Sequence, residues 1–149
     1  MSTEPRLEEN KRLARRVPEE IATQRNFDHF DEIFADDVVE HFAFGREIRG
    51  REALREQLET FFAAFPDFEA TVEAVAAEGD LVAMRVTLSG THEGPFMGIE
   101  PTGRSFEVGN MVFTRIADGK IVERWLQPDT LDMMQQLGVV DRPGEAASG

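Results

Sequence analysis

The chain predicts an α+β fold in which helices pack on one face of a curved antiparallel sheet. Three observations carry that prediction. Helical periodicity fills the first part of the chain, long alternating stretches fill most of the rest, and Gly79-Asp80 and Asp118-Gly119 mark tight turns between those stretches. Helices followed by a run of strands read as α+β, not as alternating βαβ units.

The elements follow in order. Leu7, Leu13, Ala14, Val17 and Ile21 recur at helical spacing, which predicts a helix over residues 6–25. Pro18 must kink that helix or start a new one. Asn26 is a plausible N-cap for a second helix, with Phe27, Phe30 and Phe34 on one face. Val38 to Phe44 predicts a strand. A third helix starts near Gly50, carries the stripe Leu54, Leu58, Phe61, Phe62 and Phe65, and ends at Pro66. Strands are expected at 68–78, 81–92, 105–117 and 120–128, consecutive and antiparallel. On the first of them Phe68, Ala70, Val72, Ala74 and Ala76 share a face. A loop rich in Gly and Pro runs from Gly94 to Gly103, and a last helix covers about 130–137 before Gly138. With 149 residues the chain reads as one domain over 1–149, its ordered core about 6–140 and its ends frayed. A domain of this length buries roughly 68–70% of its unfolded surface, enough for a core and a cavity.

Composition narrows the function. Twelve phenylalanines and no tyrosine make the aromatic set apolar, and the absence of cysteine removes thiol chemistry and disulfides. No apolar run suits a membrane span and no signal-peptide pattern opens the chain, so the expected compartment is the cytosol. The formal charge of −13 repels phosphate backbones and argues against nucleic acid as a partner. The same charge fits either a salty cytoplasm or a merely acidic protein. In the first case the thermal midpoint rises as KCl goes from dilute to molar, because the Debye length shrinks to about 3 Å at 1 M and self-repulsion is screened. A flat or falling midpoint would end that reading.

The Asp118-Gly119 turn, taken as a two-residue loop, sets Val112 opposite Trp125, Asn110 opposite Gln127 and Val108 opposite Asp129. These six side chains would then share one mainly apolar face with one carboxylate, two amides and an indole, as an orienting pocket needs. Asp129 beside Trp125 and Val108 would be poorly solvated, which raises its pKa toward general-base range. The alternative is that Asp129 caps the last helix. His41 shares a face with Val39 and Ala43 and could point inward. His92 follows Met84, Val86 and Leu88 by simple alternation, and His29 sits among acids in solvent. No histidine stands at metal-ligand spacing from a carboxylate, and no G-x-S-x-G, P-loop or dinucleotide fingerprint occurs. In the loop, Phe96 and Met97 read as a lid over the pocket, or else as a plug or dimer contact.

Several stretches together resemble one known family. They are Phe65-Pro66-Asp67-Phe68, Gly90-Thr91-His92-Glu93-Gly94-Pro95-Phe96-Met97-Gly98-Ile99-Glu100-Pro101-Thr102-Gly103, and Gly119-Lys120-Ile121-Val122-Glu123-Arg124-Trp125 followed by Asp129 and Gln135-Gln136-Leu137-Gly138. The chain resembles the SnoaL-like polyketide cyclases, or ester cyclases, from about Glu9 to Val139. The resemblance implies the nuclear transport factor 2-like fold, a cone with an internal pocket. It implies intramolecular aldol cyclisation of an aromatic polyketide ester, with no metal and no cofactor. It places the family's acid/base aspartate on Asp129 and pocket histidines on His41 and His92. On this reading Val108, Asn110, Val112, Trp125, Gln127, Phe96 and Met97 would bind a small apolar or polyketide-like molecule. The alternative from another class is a non-catalytic small-molecule carrier of the same fold. A homodimer is expected, because Met111 and Phe113 face away from the pocket and need a cover.

Overall fold

Helical periodicity at the start of the chain becomes one long helical run. In the computed structural model, which describes residues 4–141, α1 spans Glu4–Arg16 and continues as wider π-helical turns over Val17–Thr23. Pro18 sits where the winding changes, since it has no N–H to give to the i→i−4 ladder. The tail expected to fray, from Pro143 onward, lies outside the described residues.

The second helix is shorter than its phenylalanine spacing suggests. Asn26 Oδ1 accepts the Asp28 N–H at 3.0 Å, which makes a turn, and α2 is the single turn Phe30–Ile33. Phe34 already belongs to β1, Phe34–His41, which therefore starts and ends earlier than the strand expected at Val38 to Phe44. A 3₁₀ turn, Ala43–Gly45, leads into β2, Glu47–Arg49, a strand too short to show in the sequence pattern. The remaining elements are α3 at Arg51–Ala64, β3 at Glu69–Glu78, β4 at Leu81–Thr91, β5 at Ser105–Ala117, β6 at Lys120–Pro128 and α4 at Thr130–Gln136.

The strands form one curved, unclosed sheet in the order β2-β1-β6-β5-β4-β3. Strands β3 to β6 are consecutive and antiparallel, as expected. The pairing of β1 with β6 is parallel and brings the N-terminal half of the chain to the edge of the meander. The helices cover the inner face. Their apolar residues, with Phe65, Phe68, Phe106, Val82, Val86 and Ile121, make the core.

Two bulges decide which residues face in. On β3, Val72 pairs with Val86 but Ala74 pairs with Arg85, so Glu73 is an extra residue. Ala70 and Val72 face the core before it and Val75 and Ala77 after it, which puts Ala74 and Ala76 on the outer face, contrary to simple alternation. On β6, the Asp118-Gly119 loop does have two residues, with φ of 52° and 74°. Ala117 pairs with Lys120 and Ile116 with Ile121, but Arg115 pairs with Glu123. Val122 is the extra residue there, and everything beyond it is shifted by one.

Candidate active site

The shift at Val122 rebuilds the inner face. Val112 now stands opposite Leu126, Asn110 opposite Pro128 and Thr114 opposite Arg124. On the other side of β6, Glu40 pairs with Arg124, and Ile48 pairs with Glu40. Ile48, Glu40, Arg124 and Thr114 therefore form one row across four strands. Arg124 Nη1 donates to Glu40 Oε1. Both side chains are buried, at 1% exposure for Glu40 and 5% for Arg124. Burial pushes the Glu40 carboxyl above the usual carboxylate range, against the downward pull of Arg124 and His41. Among the described residues, Glu40 Oε2, Arg124 Nε and Thr114 Oγ1 have no hydrogen-bond partner. Asn110 Oδ1, two rows further along the sheet, has none either.

A cavity of about 190 Å³ lies over these rows. Val17, Pro18 and Ala22 cover it from the π-helical turns, and Leu58, Phe61 and Phe62 from α3. Val86, Val112 and Leu126 form its apolar sheet wall, and Glu40, Arg124 and Asn110 are its inner polar groups. Exposed Arg46 and Met97 stand at its opening. A mainly apolar wall with a few unpartnered polar atoms is the chemistry of a small-molecule site. Among the described residues no group of three or more His, Asp or Glu is placed to hold a metal ion, and no helix is long and apolar enough to cross a membrane.

The family model for SnoaL-like polyketide cyclases matches residues 12–137, most of the chain. The chain belongs to the SnoaL-like polyketide cyclase family. It is similar to two aklanonic acid methyl ester cyclases. DauD of Streptomyces sp. (strain C5) is 36% identical over 94 residues, 62% of this chain and 58% of that protein. DnrD of Streptomyces peucetius is also 36% identical over 94 residues, 62% of this chain and 64% of that protein. The match thus spans about three fifths of each relative's length. Among solved structures, wild-type IdmH from Streptomyces antibioticus is 35% identical, with 87% of this chain and 99% of that chain covered at a TM-score of 0.74. TsrD from Streptomyces laurentii is 26% identical, with 89% and 96% covered at a TM-score of 0.78.

The stretches that mark this SnoaL-like chain build the walls around the cavity. Asp67 accepts the Thr91 N–H and hydroxyl, each at 2.7 Å, and those bonds hold its carboxyl below the usual range. A Cβ on Gly94 would lie 2.6 Å from the Ala63 carbonyl oxygen, so only glycine lets the loop pack on α3. His92 Nδ1 accepts the Thr102 N–H at 3.2 Å, which places its proton on Nε2. The anchored loop carries Phe96 and Met97 to the cavity. Gln136 pins α4 to β5, giving its Nε2–H to the Glu107 carbonyl at 3.0 Å and taking the Glu107 N–H at 2.7 Å.

Of the residues singled out in the sequence, Asn110, Val112, Phe96 and Met97 line the cavity. Val108 is buried in the next row beside Leu88, outside the cavity wall. His92 is buried against Phe65, ring centroids 5.5 Å apart, and is not in the wall; its Nε2 has no partner among the described residues. Trp125 and Gln127 do not share the face of Asn110, because the Val122 bulge turns them outward beside Phe113 and Met111. His41 faces outward too. Its ring stacks on Trp125 at 5.4 Å and its Nε2 lies 2.7 Å from Glu123 Oε2. Asp129 is exposed, not enclosed by Trp125 and Val108, and its Oδ1 accepts the Asp132 N–H at 3.1 Å as the N-cap of α4.

The pair that the sequence reading missed is Glu40 and Arg124. Its signal was present, since Val38, Glu40 and Phe42 share one strand face and a carboxylate there is buried among apolar neighbours. The geometry of Asp129 gives a plain expectation. Asp129→Asn, which caps as well, leaves thermal stability and ligand binding unchanged, while Asp129→Ala loses about 1 kcal/mol in denaturant unfolding. Loss of binding in Asp129→Asn at unchanged stability would return Asp129 to the site.

Proposed function

We propose that this protein is a cyclase-type enzyme that removes a proton α to a carbonyl in its internal cavity, using its own side chains and no metal or cofactor. The observation that carries the proposal is Glu40 Oε2, a buried carboxylate oxygen without a partner among the described residues, in a mainly apolar cavity. Glu40 would take the α-proton on Oε2 while Oε1 stays on Arg124. Before the step the pair sums to zero charge. After it Glu40 is neutral, and the enolate oxygen carries the negative charge that Arg124 is placed to stabilise. The enolate carbon then attacks a second carbonyl of the same molecule, a C–C bond forms, and the new alkoxide recovers the proton from Glu40. The similarity to aklanonic acid methyl ester cyclases supports this reaction type. The test is turnover of β-keto ester probes by wild type and Glu40→Gln. Saturable binding without turnover by wild type would decide for a carrier.

We also propose that the protein is a homodimer, on the evidence of its outer sheet face. Met111 is 55% exposed and Phe113 51%, and Phe113 continues a row Ala76, Ala83, Phe113, Trp125, His41 across the outer sheet face. An apolar sheet face of this kind calls for a cover. Light scattering at micromolar concentration is expected to give twice the chain mass, and Phe113→Glu to give the single mass. A single mass for wild type in both low and high salt would rule the dimer out.

A further inference from the structure

Thr114 is a threonine where its surroundings ask for valine. Its side chain is fully buried on the inner face of β5, at 0% exposure. Its neighbours on that face are Val112 and Ile116 along the strand and Val82 across on β4. All three are buried and apolar. The remaining neighbour, across on β6, is Arg124. Valine has the shape of threonine and suits a buried strand, so the hydroxyl adds only a polar atom that must be bonded.

Arg124 carries the matching deficit. Its Nη1 donates to Glu40, on the β1 side of β6. Nε–H lies on the opposite edge of the rigid, planar guanidinium. With Nη1 on Glu40, that edge is left for the β5 side, where Thr114 stands. Arg124 Nε and Thr114 Oγ1 are both buried, and neither has a partner among the described residues. A buried N–H of a charged group left unbonded is costly, and so is a buried hydroxyl. Residues directly opposite on an antiparallel pair hold their Cβ atoms about 4.5–5.5 Å apart, and one water between the two polar atoms satisfies both.

We infer that Thr114 is a positioning residue, whose hydroxyl holds Arg124 Nε–H through one buried water and so fixes the plane of the guanidinium. The bond to Glu40 alone is a hinge about which the guanidinium tilts. A hold on the opposite edge removes that freedom and keeps the remaining N–H groups aimed into the cavity that Arg124 lines. Thr114 is not part of the cavity wall, so it acts on a ligand only through Arg124. The effect on rate rests on the cyclase-type reading. The water and the hold on Arg124 do not.

Thr114→Val and Thr114→Ser in the full chain test this. Thr114→Val is expected to unfold at lower denaturant than wild type. That loss disappears when Thr114→Val is made in Glu40→Leu/Arg124→Met, where the guanidinium is gone. An unbonded hydroxyl gives the reverse sign, because valine then removes an unpaired polar atom. Nitrogen-15 NMR reads the bond itself. The Arg124 Nε–H signal, assigned by its absence from Glu40→Leu/Arg124→Met, is expected to carry a cross-peak to a long-lived bound water in wild type. With methyl benzoylacetate, kcat is expected to fall about tenfold in Thr114→Val at near-constant KM, and to recover in Thr114→Ser. Thr114→Val at least as stable as wild type, an equal loss in both backgrounds, or an Nε–H without the cross-peak overturns the inference. The wild-type spectrum decides even if Thr114→Val does not fold. Unchanged kcat in Thr114→Val beside an active wild type overturns the positioning role. No turnover by wild type sinks the proposed reaction alone, and the sign of the stability change and the cross-peak still decide the hold on Arg124.

Discussion

Glu40→Gln is expected to lower kcat on a β-keto ester by about 10²–10⁴-fold, the usual contribution of a positioned general base. The amide keeps the size of the side chain and a hydrogen bond to Arg124 but cannot accept the proton. Binding should change little, because Asn110 and the phenylalanines are untouched. The pH dependence follows from the same group. Burial raises the Glu40 carboxyl above its usual range, and the active form is the carboxylate. Wild-type kcat/KM should therefore rise with pH through a midpoint above the free glutamate value of about 4.3. The sign for stability is opposite. Because the folded carboxyl holds its proton longer than the unfolded one, this group's contribution to stability is fully present below about 4.3 and is lost as pH rises through the folded value. A pH–rate profile flat from pH 4 upward would remove Glu40 from the chemistry.

The largest stability effect should come from breaking the buried pair. Arg124→Met leaves the Glu40 carboxylate without its partner in a place that excludes water, and Glu40→Leu does the same to the guanidinium. Each is expected to cost about 3–5 kcal/mol in denaturant unfolding. The double variant Glu40→Leu/Arg124→Met replaces both charges with apolar groups of similar length. It should recover most of that loss and could exceed wild type by about 1–4 kcal/mol, while being inactive. Such a result identifies the pair as a functional feature retained against stability. Single-variant costs that simply add in the double variant would show that the two residues do not act as a pair.

The architecture was legible in the sequence where chemistry is local. Pro66 ends α3, Asp118-Gly119 makes a two-residue turn, and the four long strands follow one another as their alternation predicts. The site was legible only in part, and the reason is one residue. Val122 is not marked by glycine, proline or a break in hydrophobicity, yet its bulge exchanges the faces of everything after it on β6. Trp125 and Gln127 went outward and Arg124 and Leu126 came inward, while Asn110 and Val112, on unbulged β5, stayed where alternation put them. Glu40 needed a long-range fact as well. Its partner is 84 residues away on a strand that runs parallel to its own, and no local pattern announces that pairing.

The most direct measurement is α-proton exchange of a bound β-keto ester in deuterium oxide, followed by proton NMR with wild type, Glu40→Gln and Asp129→Asn in parallel, above the buffer background. Exchange by wild type, its loss in Glu40→Gln and its full retention in Asp129→Asn is the result predicted here. Exchange that survives in Glu40→Gln and disappears in Asp129→Asn would contradict it and return the chemistry to Asp129.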